Sequence, residues 1–164
     1  MTYLNKSLDT LGRHINNDIY YFSPETHSLD DLPNDNWICL AIANQDFDKS
    51  FFEQFVVFSA DRGLLEFKGQ GKFGELLHDY FDEVILEYEF QKDIETDIMT
   101  TWYNDKRNDL ANSLWDCFHA HILPDDTDFT KTKIVCISFD TNNYKIALID
   151  IISRLNEGWI PPDE

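Results

Sequence analysis

A three-layer α/β sandwich, with a mostly parallel sheet of roughly four to six strands and helices on both faces, is the fold class this sequence predicts. Short apolar runs of strand length recur along the chain, and their hydrophobicity is continuous rather than alternating, as in strands buried on both faces. Amphipathic stretches of helical period separate them. A chain of 164 residues buries enough apolar surface for one core, so residues 1–164 read as a single α/β domain.

The first 36 residues stand outside the repeat. MTYLNKSLDTLGRHI is expected to be a short helix and DIYYF an added edge strand, which would make the sheet mixed. Trp37 to Ala43 (WICLAIA), after the turn-forming LPNDN, is the first buried strand. Asp46 to Phe58 reads as a helix because Phe47, Phe51, Phe55 and Phe58 recur at spacings of three and four, and Asp61-Arg62-Gly63 stops it. LLEFKGQG, residues 64 to 71, is a strand closed by glycines.

From Lys72 the helical period returns. Phe73, Leu76, Leu77, Tyr80 and Phe81 share one face, and Glu75, Asp79, Asp82 and Glu83 lie mostly on the other. VILEY, Val84 to Tyr88, is expected to be a separate strand on its β-branched and aromatic content, followed by a further strand, DIMTTW, at 97–102. Leu110, Leu114, Phe118 and His121 mark a helix from near Asp105 to before Pro124, and IVCISF carries the strongest strand signal. The last helix, Tyr144 to Asn156, is apolar almost all round and is expected to be deeply buried, with Gly158 and Pro161-Pro162 ending it.

Charge restricts the function. With 31 acidic against 13 basic residues the formal charge is -18, a field that repels nucleic acid and anionic membrane. The N-terminus lacks the apolar core of a secretory signal, which makes the cytoplasm the expected compartment. Cys39, Cys117 and Cys136 are far apart in apolar runs and read as buried reduced thiols. Gly69-Gln70-Gly71-Lys72 reads as a turn, too short to be a phosphate loop by itself. No cofactor is expected. The loops after Ala43, Gly69, Trp102 and Phe139, where an α/β sheet holds ligands, carry Asn44, Gln45, Asp46, Gln70, Asn104, Asp105, Asp140 and Asn142, with few cations.

FGELLHDYFDEV, residues 73 to 84, and DIMTTWYNDKRNDLANSLWDCF, residues 97 to 118, contain HDYFDE (His78 to Glu83) and TTWY (Thr100 to Tyr103). This combination resembles a small uncharacterised bacterial domain family with an HD-x-x-DE helix, a short strand, then a strand ending in TTW-[HY] before an acidic helix. The resemblance covers the central third of the chain. It implies an α/β fold and a bacterial origin and brings no reaction with it. Tyr103 stands where that family carries histidine, which weakens any role for an imidazole or metal ligand there.

Residues 78 to 97, HDYFDEVILEYEFQKDIETD, hold eight acids and one lysine. His78 and Asp82 lie four apart on a helix, as do Asp79 and Glu83, so a metal-dependent enzyme using His78, Asp79 and Asp82 is one reading. Two same-face ligands are too few for a site without distant help from His119 or His121. Cys117 and His121 form a second enzymatic pairing, set against core packing of the thiol. The preferred reading is a non-enzymatic partner surface formed by Asp79, Asp82, Glu83, Glu87, Glu89, Asp93, Glu95 and Asp97, with Tyr80, Phe81, Tyr88 and Phe90 among them as aromatic anchors. A basic protein would be the partner. Small acidic proteins of this type resemble immunity proteins, which neutralise a basic toxin such as a nuclease; a DNA mimic is the alternative within the binding class.

Overall fold

The computed structural model describes residues 8–104 and 106–162. Six strands form one sheet in the order β1-β2-β6-β3-β4-β5: β1 Asp9–His14, β2 Asn17–Phe22, β3 Trp37–Ile42, β4 Leu64–Gln70, β5 Met99–Trp102 and β6 Lys133–Ser138. Every neighbouring pair is parallel except β1 with β2. The helices are α1 Lys49–Ala60, α2 Gly74–Lys92, α3 Asp109–His119 and α4 Lys145–Asn156. The fold is thus the expected α/β sandwich, with a mixed six-stranded sheet.

Alternation along each buried strand divides the core into two. On one face Phe22, Trp37, Cys39, Ala41, Phe67, Val135 and Ile137 meet α1 and α2. Phe52 is central there, its ring centroid 5.1 Å from Phe139, 5.6 Å from Tyr80 and 6.0 Å from Phe67. On the other face Ile19, Tyr21, Ile38, Leu40, Ile42, Ile134 and Cys136 meet Leu114, Cys117 and Phe118 of α3 and Leu148, Ile152 and Leu155 of α4. Asp48 caps α1, its side chain accepting the Phe51 amide at 3.1 Å, which moves the helix start three residues past the expected Asp46.

Several expectations are corrected. Residues 1–7 of the proposed N-terminal helix lie outside the described residues, but its remainder, Asp9–His14, is the antiparallel edge strand β1, and DIYYF belongs to β2, between β1 and β6. Val84 to Tyr88 is not a strand but part of α2. Leu77, Phe81, Ile85 and Tyr88 continue one buried stripe at spacings of four, four and three, and packing of that stripe overrides the strand propensity of the segment. Finally, α4 is amphipathic rather than buried all round. It lies over β1 at one side of the sheet and leans on α3, so Leu148, Ile152 and Leu155 face inward while Ile146 and Ile149 are exposed. Leu76 is exposed too, leaving the inner face of α2 narrower than expected.

Candidate functional site

A 19-residue helix reaches about 28 Å, and α2 carries most of the acidic stretch along that length. Asp79, Glu83 and Glu87, four residues apart, form one exposed line on its outer side. Beside them Leu86 is 65% and Phe90 87% exposed, and Ile94 follows in the exposed segment after the helix. Asp93, in the left-handed conformation (φ 52°), ends the helix, and Glu95 and Asp97 are exposed on the way to β5. Tyr80, Phe81 and Tyr88 are not anchors of this surface: Phe81 and Tyr88 are buried, and Tyr80 stacks on Phe52. The Tyr80 hydroxyl donates to Glu53, which pushes the phenol up to about 12, and the Tyr88 hydroxyl donates to Asp61.

Two of the eight acids serve the fold. Glu89 Oε2 accepts the Thr96 amide at 2.7 Å and so holds the exit from α2. Asp82 Oδ1 accepts the Thr100 hydroxyl at 2.8 Å, and Thr100 Oγ1 also lies 3.2 Å from His78 Nε2. The HDYFDE helix and the TTWY strand are therefore joined side chain to side chain.

This junction does not converge on a metal position. Asp79 Oδ1 meets His78 Nδ1 at 2.9 Å and Asp82 Oδ2 meets Nε2 at 3.5 Å, so the two carboxylates sit at different ring nitrogens. Among the described residues no group of three or more His, Cys, Asp or Glu side chains is arranged to hold a metal ion. The Cys117–His121 pairing does not form either. Cys117 is fully buried, its Sγ donates to the Ser113 carbonyl at 3.4 Å, and burial pushes the thiol up to about 12. His121 lies beyond α3 and packs on Phe129, with centroids 4.2 Å apart.

At the carboxyl edge of the sheet, Asn44 and Asp140 lie in the expected ligand loops, and Tyr144 joins them. β3 and β6 are adjacent, and their following loops lead to helices on opposite faces, which in open α/β sheets makes the ligand crevice. Here the protein's own side chains bridge it. Asp140 Oδ2 accepts the Asn44 amide at 2.7 Å and the Tyr144 hydroxyl at 2.5 Å, and Asn44 Nδ2 donates to that hydroxyl at 3.1 Å. Burial, then donation to Asp140, raises the Tyr144 phenol.

Gly69-Gln70-Gly71-Lys72-Phe73-Gly74 has the G-x-G-x-x-G spacing of a dinucleotide turn and joins β4 to α2, the context that motif requires. Taken as Gly69 to Lys72 alone, the segment is a turn and hides this spacing. Three successive amides are spent internally, however: Lys72 N–H donates to Asn44 Oδ1, Phe73 N–H to the Ala43 carbonyl and Gly74 N–H to the Gly71 carbonyl. The glycines serve backbone approach as well. A Cβ on Gly69 would fall 2.3 Å from the Gly74 carbonyl, and one on Gly74 2.7 Å from the Tyr103 carbonyl. The turn is a backbone junction between β4, α2 and the end of β5, with no free row of amides for a pyrophosphate.

Beneath α3, β4 buries charge. Glu66 and Lys68 are 0% and 1% exposed and pair at 2.9 Å; Glu66 Oε2 also accepts the Ile122 amide at 3.0 Å, and Lys68 Nζ lies 5.8 Å from the Tyr103 ring centroid. Tyr103 in turn donates to Asp116, and burial first, then this bond, raises its phenol. The Glu-Phe-Lys-Gly-Gln alternation is the sequence signal for this polar side of the strand.

The arrangement defines a class: a three-layer α/β protein with an acidic, apolar-studded helix on one face and a buried ion pair under the other. The chain belongs to the family described as Domain of unknown function (DUF7684), whose family model matches residues 19–152, from β2 into α4. No curated protein and no solved structure matches it. Among the described residues no helix is long and apolar enough to cross a membrane.

Proposed function

We propose that this chain is a non-enzymatic acidic binding protein for a cationic protein, acting as an immunity- or antitoxin-like inhibitor of a basic toxin such as a nuclease. One observation carries the reading: Leu86 and Phe90 stand exposed beside the acidic line Asp79, Glu83 and Glu87, with Asp93, Glu95 and Asp97 beyond. Apolar anchors inside a charged rim suit an interface in which the anchors supply affinity and the acids steer encounter with lysines and arginines. The same anchors favour this reading over DNA mimicry, because a surface standing in for phosphates gains nothing from an exposed phenyl ring. Net charge of -18 adds a long-range term of the same sign.

Affinity capture with the tagged full chain, run in parallel with Phe90→Ser and with Asp79→Lys/Glu83→Lys/Glu87→Lys, tests the proposal. A basic protein retained by the wild type, and released by both variants while their melting temperatures stay within a few degrees of it, is the expected outcome. A partner without a basic surface, or one held equally by all three proteins, overturns it.

A further inference from the structure

A cavity of about 310 Å³ opens beside the carboxyl end of β4, between the first turn of α3 and α4. Gln70, Asn44, Lys106, Asn108, Arg154 and Trp159 supply its polar and aromatic lining, and aliphatic side chains of α3 and α4 complete it. Among the described residues no carboxylate lines it, although acids line the cavities at β5, at the Leu29–Asp31 turn, at the end of β6 and along α1. In a chain with 31 acids against 13 bases, a recess whose described lining carries two cations and no acid stands out, with Asp150 pairing with one of them from outside the lining.

Two independent features point to an occupant. Gln70 is 3% exposed and its Oε1 has no hydrogen-bond partner, an unmet acceptor of the kind that folded proteins rarely leave buried. The N-terminus of α3 borders the same recess: Asn108, in the left-handed conformation at φ 69°, gives it no side-chain cap. The Asp109 amide donates to the Lys106 carbonyl at 3.0 Å, and the helix dipole still favours an anion at this end. Asp109 does not fill that role in the recess, since its Oδ2 accepts the Lys106 amide at 3.1 Å and it lines the neighbouring cavity. Arg154 is held in place by Asp150, 3.1 Å from its Nε, and by the Trp159 ring 5.6 Å from its Cζ.

We propose that this recess binds a small organic oxyanion carrying a hydroxyl or amine donor. Lys106, Arg154 and the first turn of α3 take the oxyanion, and the donor at its other end satisfies Gln70 Oε1. Ligand pockets run from roughly 300 to 1,000 Å³, so this volume suits a small acid and excludes a dinucleotide. The site lies across the molecule's helix layers from the acidic line of α2 and does not depend on the partner proposed above.

The test is calorimetric titration of the full chain with inorganic phosphate, L-malate and glycerol 3-phosphate at fixed ionic strength, with chloride as the blank. A hydroxylated oxyanion is expected to saturate with a dissociation constant below about 1 mM, to bind at least about tenfold more weakly to Lys106→Glu, and to lose more affinity than inorganic phosphate does in Gln70→Leu. Malate responding alone assigns a carboxylic acid, and glycerol 3-phosphate alone a phosphate ester. Should Gln70→Leu fail to fold, Lys106→Glu, a change at an exposed position, still decides. Heats no larger than the chloride blank for all three probes, or binding unchanged in Lys106→Glu, overturns the proposal.

Discussion

The two faces of the sheet handle charge in opposite ways. Toward α1 and α2 the core is largely aromatic, and every acid of the 78–97 stretch is left at or near the surface. Toward α3 and α4 the core is aliphatic, yet it encloses Glu66, Lys68 and the amide of Gln70. A single strand makes the difference, for β4 sends Phe67 to one side and Glu66, Lys68 and Gln70 to the other. Exposed acids cost the fold little and are available to a partner, whereas enclosed charges bind the fold to their own pairing.

The largest expected effect breaks that enclosed pairing. Lys68→Met alone strands the Glu66 carboxylate in the core and is expected to cost about 3–5 kcal/mol in denaturant unfolding, as buried pairs do when one partner is removed. Replacing both, with Glu66→Leu and Lys68→Met, should recover most of the loss, because two apolar residues leave no charge uncompensated. A single variant as stable as wild type would mean that water or a rearranged neighbour already solvates Glu66. Ile149→Asp on the outer side of α4 is the small-effect counterpart: with Ile149 45% exposed, the change is expected to stay under about 1 kcal/mol. A cost of several kcal/mol there would show α4 buried on both sides after all.

How much of this was legible in the sequence follows from what each residue had to satisfy. β3 and β6 are β-branched or apolar along nearly their whole length and buried on both faces, so their runs announce them. Val84 to Tyr88 carried the same residue types, but the register of Leu77, Phe81, Ile85 and Tyr88 on one helical stripe decided its structure, and that register is visible only across the whole of α2. In α4 the isoleucines crowd the sequence without regard to face, and only its position over β1 shows which are covered. The acidic line was legible as composition, but the diversion of Asp82 to Thr100 and of Glu89 to Thr96 depends on β5 and the loop before it. Glu66, Lys68 and the G-x-G-x-x-G spacing lay in plain view and were absorbed into a strand and a turn. The hydrogen-bond partners of that turn could not be read without the fold.

The central claim, that the outer side of α2 steers a cationic protein, is tested most directly by an association rate. Stopped-flow mixing of the captured basic partner with wild type and with Asp79→Lys/Glu83→Lys/Glu87→Lys, at low and at physiological salt, separates steering from contact. The predicted result is an on-rate at least about tenfold slower for the triple variant at low salt. The gap should narrow as the Debye length falls to roughly 8 Å and exposed charges are screened. An on-rate that ignores both the charge reversal and the salt would contradict the claim and leave the acids of α2 as a solvated flank.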